Sequence, residues 1–165
     1  MRDLPDPGFA GDDGSVAPEL SAALAAYAQR PDELHDATLA VLQHTRLLVP
    51  VVAVLGEVEH DERGLAHDKT SDMATVLMQG RDGRTALLAF TSTRSLMEWK
   101  ADARPVPVTV ATAAAAAVQD GADALLVDVA GPVLFVVEGE DLRELAQGHA
   151  LVPVSGRYGW ATPAP

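Results

Sequence analysis

The chain has 165 residues, of which 48% are hydrophobic and 22% are charged, as is ordinary for one globular domain with a core of its own. Its formal net charge of -12 argues against a surface for nucleic acid or for an anionic membrane, because both need clustered Lys and Arg. The absence of cysteine excludes disulfides, thiolate metal sites and a cysteine nucleophile within this chain. No apolar run approaches the ~20 residues of a membrane helix and the first residues lack a signal pattern, so we expect a cytoplasmic, bacterial-type protein.

The N-terminal third predicts a tail followed by two helices. Residues 1–17 are rich in Gly, Pro and Asp and predict a disordered acidic tail, because they cannot bury enough apolar surface to offset the entropy lost on ordering. Pro18 suits the first turn of a helix, and apolar residues recur after it at helical spacing. A second helix is predicted from about Asp32 to His44.

The next segment predicts strands around a polar loop. Residues 46–55 form a nearly continuous apolar run, typical of a strand buried on both faces, in which Pro50 predicts a bulge or a pairing gap. Residues 57–72 are strongly polar and predict an exposed loop. Residues 73–79 and 85–90 then predict a hairpin.

Helical and strand signals alternate through the next part. Ser92 is a favourable N-cap for a short helix that reaches about Lys100. Residues 105–110 predict a strand whose alternating prolines suit a sheet edge. The alanine run after it predicts a helix that ends at Gly121.

The C-terminal part predicts two strands at 124–129 and 132–137, a helix at 139–147 and a short strand at 150–154. Residues 155–165 are predicted to form a tail.

The alternation of strands and helices predicts an α/β (α+β) fold. We expect a single compact domain over residues 18–154, with a mixed sheet of about five to six strands flanked by helices.

The polar loop is the first candidate for a functional site. It contains His60 and His67 beside several carboxylates, which are adequate ligands for a divalent metal. Their spacing matches neither an EF-hand nor an HExxH motif, and a polar loop between strands is usually only solvated. No metal and no other cofactor is therefore predicted, and the two histidines are retained as candidate interaction residues.

The second candidate is the hydroxyl-rich start of the helix at Ser92. No Gly-x-Ser-x-Gly elbow surrounds it, and helix capping explains the serine better than catalysis does. Dinucleotide and P-loop motifs are also missing. An enzyme or small-ligand site near the loop 57–72 and Ser92 remains an alternative, because open α/β sheets bind ligands at the carboxyl ends of strands.

Aromatic residues divide into two groups. Phe90, Trp99 and Phe135 lie in apolar segments and are expected to be large packing pieces of the core. Tyr158 and Trp160 lie in the polar C-terminal segment, where exposed aromatics would suit contact with a partner.

Several short motifs resemble the N-terminal domain of the SseB family, in its actinobacterial type. They are VPVVAVLGE at 49–57, LLAFTS at 87–92 with Leu96 and Trp99 behind it, and GADALLV at 121–127. One departure concerns the Asn-Pro turn that often follows the last of these in the family, since here the chain continues Asp128-Val129. A role of that turn is therefore not transferred.

The resemblance implies no catalytic residue that maps onto this chain. Enterobacterial members are linked to serine sensitivity and to enhancement of a rhodanese-like sulfurtransferase, whose usual persulfide route needs a cysteine. We therefore expect a non-enzymatic, cytosolic protein-binding or regulatory module with a protein partner, no nucleic acid and no membrane. Self-association through an uncovered sheet edge or the C-terminal segment is a further hypothesis.

Overall fold

Helices and strands alternate through residues 9–53 and 73–163, which are the residues that the computed structural model describes. The five helices found there are α1 (Pro18–Gln29), α2 (Pro31–Leu42), α3 (Thr93–Trp99), α4 (Val110–Gln119) and α5 (Gly139–Ala146). The nine strands are β1 (Arg46–Ala53), β2 (Met73–Thr75), β3 (Leu77–Gln79), β4 (Thr85–Ala89), β5 (Arg104–Thr109), β6 (Ala124–Val127), β7 (Phe135–Glu138), β8 (Ala150–Val154) and β9 (Arg157–Ala161). The predicted α+β class is confirmed, although the strands form three sheets rather than one.

The central sheet has four strands in the order β3-β4-β6-β7. Strands β4 and β6 run parallel and the other pairs are antiparallel. Because parallel strands end at the same sheet edge, the residues that follow β4 and β6 come together there. The sequence between these two strands supplies α3, β5 and α4.

A second sheet has the order β2-β1-β5 and joins the first through Leu48 and Phe90, which exchange two backbone hydrogen bonds of 2.8 Å each. The predicted strand 73–79 is divided between these sheets. Residues 73–75 before Val76 pair with β1, and residues 77–79 after it pair with β4. The chain thus passes from one sheet to the other at Val76, which a period-two pattern does not indicate.

Prolines in the second sheet lie where they cost no ladder hydrogen bond. The N–H and C=O of Leu48 point toward Phe90 and away from β5. Leu48 and its partner on β5, Pro107, therefore form a non-hydrogen-bonded pair, in which Pro107 needs no N–H. The same holds two residues along, where Pro50 pairs with Pro105. Strand β5 is an edge of this sheet, as its prolines predict. Pro50 lies in a pairing gap between the Leu48–Phe90 bridge and the pairing with β2.

Two apolar clusters form the core. The larger lies among the helices α1, α2, α4 and α5 and the sheets, and the smaller contains Phe90 and Leu96 with half-buried Trp99 packed against them. Phe90 and Phe135 are fully buried, as predicted for packing residues. Their rings contact Trp99 at 5.5 Å and Tyr27 at 4.9 Å between centroids. The longest helices in the described ranges have 12 residues, and none has the length and apolar character of a bilayer crossing.

The C-terminal segment, predicted as a tail, contains a strand. Strand β9 pairs with β8 in a two-stranded antiparallel sheet. The turn between them has positive φ at both central residues, 49° at Ser155 and 77° at Gly156, which is the type I′ geometry that suits a two-residue hairpin.

The side chain of Gln43, the C-cap residue of α2, attaches this hairpin to the domain. The amide of Gln43 accepts from the N–H of Leu151 and donates to its C=O, both at 2.7 Å. The buried Leu151 also belongs to the larger core cluster.

Part of the predicted N-terminal tail also lies against the domain. Residues Val16 and Ala17 pack on the larger cluster, and the N–H of Thr93 donates to the C=O of Gly14 at 2.8 Å. The Arg46 guanidinium binds the Asp12 carboxylate in a two-pronged contact of 2.6 and 3.0 Å. Arg46 thus supplies the ordering contacts that composition alone does not indicate.

Replacing Gln43 by Ala should weaken the attachment of the hairpin. The variant leaves the N–H and C=O of Leu151 without their partners, so we expect the free energy of unfolding to fall by about 1–3 kcal/mol in urea denaturation. Hydrogen exchange at the Leu151 amide should accelerate at the same time. Gln119→Ala, at the exposed end of α4, is the control and should change stability by less than about 0.5 kcal/mol. Equal losses in the two variants would contradict the role of Gln43.

Candidate functional site

A cleft of about 520 Å³ opens at the carboxyl ends of β4 and β6, next to the start of α3. This is where an open α/β sheet usually binds ligands. Its wall combines hydroxyls and charged groups with apolar side chains from α1 and from the chain after β6. The lining residues are Val16, Ser21, Leu24, Ala25, Thr91, Ser92, Arg94, Ser95, Glu98, Asp128, Ala130, Pro132 and Val133.

The carboxylate of Asp128 is the central polar group of this cleft. Asp128 follows β6 directly, is 1% exposed and has a φ of 58°. Its carboxylate accepts from the N–H of Thr91 at 2.8 Å, from the Thr91 hydroxyl at 2.6 Å and from the Ser95 hydroxyl at 2.8 Å. Its own N–H donates to the C=O of Ala89 at 3.0 Å. Asp128 therefore joins the ends of both parallel strands to α3.

Burial raises the pKa of the Asp128 carboxyl above its ordinary value, and the hydrogen bonds from Thr91 and Ser95 oppose that rise. The negative charge of Glu98 adds a smaller upward effect.

Ser92 acts as the N-cap of α3, as predicted. Its hydroxyl accepts from the N–H of Ser95 at 3.0 Å, and the Ser95 side chain accepts in return from the N–H of Ser92 at 3.3 Å. This reciprocal capping box satisfies two helix-end donors. The two hydroxyls are thus engaged in helix capping.

The cleft does not assemble an activated nucleophile from its described residues. Ser95 donates to the Asp128 carboxylate and is only 3% exposed. Among the described residues, no histidine or lysine lines the cleft, and Ser92 forms no hydrogen bond with either carboxylate of the lining, Glu98 or Asp128. The hydrogen-bonded groups instead hold the loops of the cleft in one geometry.

A separate cluster joins α2 to α5. The Nε2 of His35 lies 2.9 Å from the Asp141 carboxylate, and the ligand atoms of His35, Asp36 and Asp141 all lie within 4.8 Å of one another. The His35 ring also stacks on Phe135 with 5.0 Å between centroids. These three donors fall short of the four protein ligands of a structural zinc site, and the contact is sufficient as a link between helices.

The predicted interaction residues lie in different surroundings. His60 and His67 lie outside the described residues. Tyr158 is 40% exposed, whereas Trp160 is half-buried against the larger core cluster. In the hairpin, Tyr158 lies opposite Pro153 and Trp160 lies opposite Leu151, so both aromatics share one face.

Sequence reasoning missed two features of these regions. Nothing in the local pattern marks Asp128 as buried, because its partners lie more than 30 residues away. The strand β9 had a usable signal, since Ser155-Gly156 is a turn dipeptide between two short apolar segments.

Comparison with protein families shows to which family this chain belongs. The model of the SseB protein N-terminal domain matches residues 20–144, about three-quarters of the sequence. The chain belongs to the SseB family. The predicted resemblance to the SseB N-terminal domain is therefore confirmed. The match includes Ser92, Asp128 and the other residues of the cleft except Val16, whereas β8 and β9 follow the matched segment. Comparisons with curated proteins and with solved structures return no match.

Asp128 is suited to replacement by Asn, which tolerates a positive φ and can keep all three hydrogen bonds if the Thr91 hydroxyl reverses its direction. Because the pKa of Asp128 is raised in the folded state, wild-type stability declines as pH rises from the unfolded pKa of ~4 through the folded value. Asp128→Asn has no such titration. We expect its unfolding free energy to equal or exceed that of the wild type at neutral pH, and to decrease relative to that of the wild type as pH falls toward ~4.

Urea denaturation from about pH 4 to about pH 8 measures this difference. Asp128→Ala is the companion variant and should be about 2–4 kcal/mol less stable than Asp128→Asn at every pH, because donors of Thr91 and Ser95 are left unpaired. A loss in Asp128→Asn as large as that in Asp128→Ala would contradict the assignment, as would a difference from wild type that does not vary with pH.

Proposed function

We propose that this SseB domain is a non-enzymatic, cytosolic protein-binding module that contacts its partner through the β8–β9 hairpin. The observation that carries the proposal is an apolar hairpin tip on a firmly attached base. Val154 is 55% exposed and Tyr158 is 40% exposed, and Pro153, which lies opposite Tyr158, is also exposed. Exposed apolar groups that are held in place lose little entropy on binding, which favours their use as contact residues.

The state of the cleft supports a binding role over catalysis. The hydroxyls of Ser92 and Ser95 and the carboxylate of Asp128 are engaged with one another or with the backbone. These bonds cap α3 and join the ends of β4 and β6, so each group has a structural role in the domain.

The second candidate function is binding of a small ligand in the cleft. Its location at the carboxyl ends of β4 and β6 and its mixed lining favour this function. Thermal-shift screening of a metabolite set tests it, with Ala25→Trp as the variant that fills the cleft. A compound that raises the Tm of the wild type and not that of Ala25→Trp would support the candidate, and a screen without such a compound would count against it.

The protein-binding proposal is tested by affinity capture from an extract of the native cell with the full chain as bait. A double variant, Val154→Ser with Tyr158→Ser, should reduce recovery of a stoichiometric partner by about tenfold or more, because central aromatic contacts dominate interface energy. The matched control is Val118→Ser with Met97→Ser, which removes exposed apolar groups from α4 and α3.

Far-UV circular dichroism and Tm should agree among the wild type and both double variants. Recovery of no stoichiometric partner by the wild type would contradict the proposal. Equal recovery by the two double variants would also contradict it, because the hairpin would then have no special part in binding.

A further inference from the structure

We infer that the outer edge of β9 accepts an extended, positively charged segment of a partner protein as an additional strand. This inference rests on the proposed protein-binding function and specifies its mode and its partner. In this mode main-chain hydrogen bonds supply affinity and alternate side chains supply selectivity.

The hydrogen bonds of Gln43 show which way the hairpin backbone points. Gln43 binds both the N–H and the C=O of Leu151, so these groups face away from β9. In an antiparallel pair, when the N–H and C=O of one residue point away from the partner strand, those of the residue opposite also point away from it. The N–H and C=O of Trp160 therefore point away from β8, and those of Tyr158, two residues along the strand, point the same way.

The type I′ turn at Ser155-Gly156 independently indicates the same orientation of the backbone groups of Tyr158. A two-residue type I′ turn is closed by a hydrogen-bonded pair, here Val154 with Arg157. The next pair, Pro153 with Tyr158, is then of the non-hydrogen-bonded kind. Pro153 has no N–H to donate, which fits that position.

The edges of β5 and β8 are obstructed, whereas the outer edge of β9 is open. Pro105 and Pro107 remove donors from the edge of β5, and on β8 Gln43 covers Leu151 while Pro153 has no donor. Among the described residues, no group forms a hydrogen bond with the N–H or C=O of Tyr158 or Trp160 beyond the hairpin. Charge, proline and covering groups are the usual means of blocking an edge, so an open five-residue edge indicates use.

The side chains along this edge define what fits beside it. Tyr158 and Trp160 lie on the same face, where Trp160 packs on the core and Tyr158 is exposed. Gly159 between them carries no side chain on the other face. An incoming strand would place one apolar side chain beside Tyr158, since aromatic and β-branched neighbours pair favourably across strands.

Charge and area identify the occupant. Each copy of the chain carries a net charge of -12, so the long-range field of the protein repels a second copy and attracts a basic segment. Strand β9 itself carries one charged side chain, the cation of Arg157, so a basic residue of the partner must lie away from that end of the strand. Strand β9 has five residues, whereas a stable interface uses about 20–30 residues from each partner, so two paired β9 edges alone fall short of a stable dimer. An extended basic segment can bind transiently through backbone hydrogen bonds and alternate side-chain contacts, and it suffers neither disadvantage.

The experiment uses the full-length chain labelled with ¹⁵N and two synthetic peptides of alternating Val and Thr, one with Lys at both ends and one with Glu. We expect the Lys peptide to shift the amide resonances of Tyr158 and Trp160 and to slow their hydrogen exchange. The Glu peptide should bind about tenfold more weakly or not at all, because the protein is acidic.

Two variants distinguish the contribution of the Tyr158 backbone N–H to binding from that of the Tyr158 side chain. Tyr158→Ala keeps the outward N–H, whereas Tyr158→Pro removes it without touching the bonds between β8 and β9. We expect the proline variant to bind the Lys peptide about fivefold or more weakly than the alanine variant, as the loss of one hydrogen bond implies. The Leu151 amide resonance and the Tm report whether the hairpin stays attached in both.

Equal binding by Tyr158→Pro and Tyr158→Ala would overturn the edge inference, as would binding of neither peptide or preference for the Glu peptide. A dimer that dissociates in Tyr158→Pro would replace the basic segment by a second copy and overturn the assigned occupant. A further outcome is that the captured partner is lost from the double variant Val154→Ser with Tyr158→Ser and yet binds Tyr158→Pro and Tyr158→Ala equally. In that case the proposed function holds and the edge inference fails. If the wild type captures no partner, the proposed function itself fails.

Discussion

The buried carboxylate of Asp128 is the constraint on which the centre of this SseB domain depends. One side chain ties together the end of β4, the start of α3 and the end of β6 through Thr91 and Ser95. A carboxylate in that position is costly to bury, and the three hydrogen bonds offset part of the cost. Because three donors within the domain satisfy the carboxylate, it fixes the shape of this part of the cleft.

At two of the sheet edges, the backbone N–H and C=O groups are likewise removed or satisfied within the domain. Prolines occupy alternate positions of β5, and the Gln43 amide takes the place of a neighbouring strand beside Leu151. Each device removes or satisfies the groups that would otherwise template pairing with another chain. The outer edge of β9 has neither device among the described residues, and this difference separates it from β5 and β8 more clearly than any side chain does.

Local patterns were sufficient for most elements and insufficient where distant contacts decide. Periodicity, the Ser92 cap and the prolines of β5 predicted their elements because each acts over a few residues. The division of strand 73–79 at Val76 depends on two separate sheets competing for one segment. Arg46, which holds Asp12 to the domain, likewise acts across 34 residues of sequence.

The candidate sites follow the same division. Ser92 was predicted correctly as a cap because its partner Ser95 is three residues away, whereas the burial of Asp128 depends on Thr91 across the sheet. Tyr158 and Trp160 were selected as exposed aromatics, yet the pairing of β9 with β8 gives them different surroundings. What they share is an outward-facing backbone, which no residue type encodes. The proposed partner contact therefore rests on a backbone edge, whereas the side chains of Ser92, Ser95 and Asp128 in the cleft hold α3 and the strand ends together.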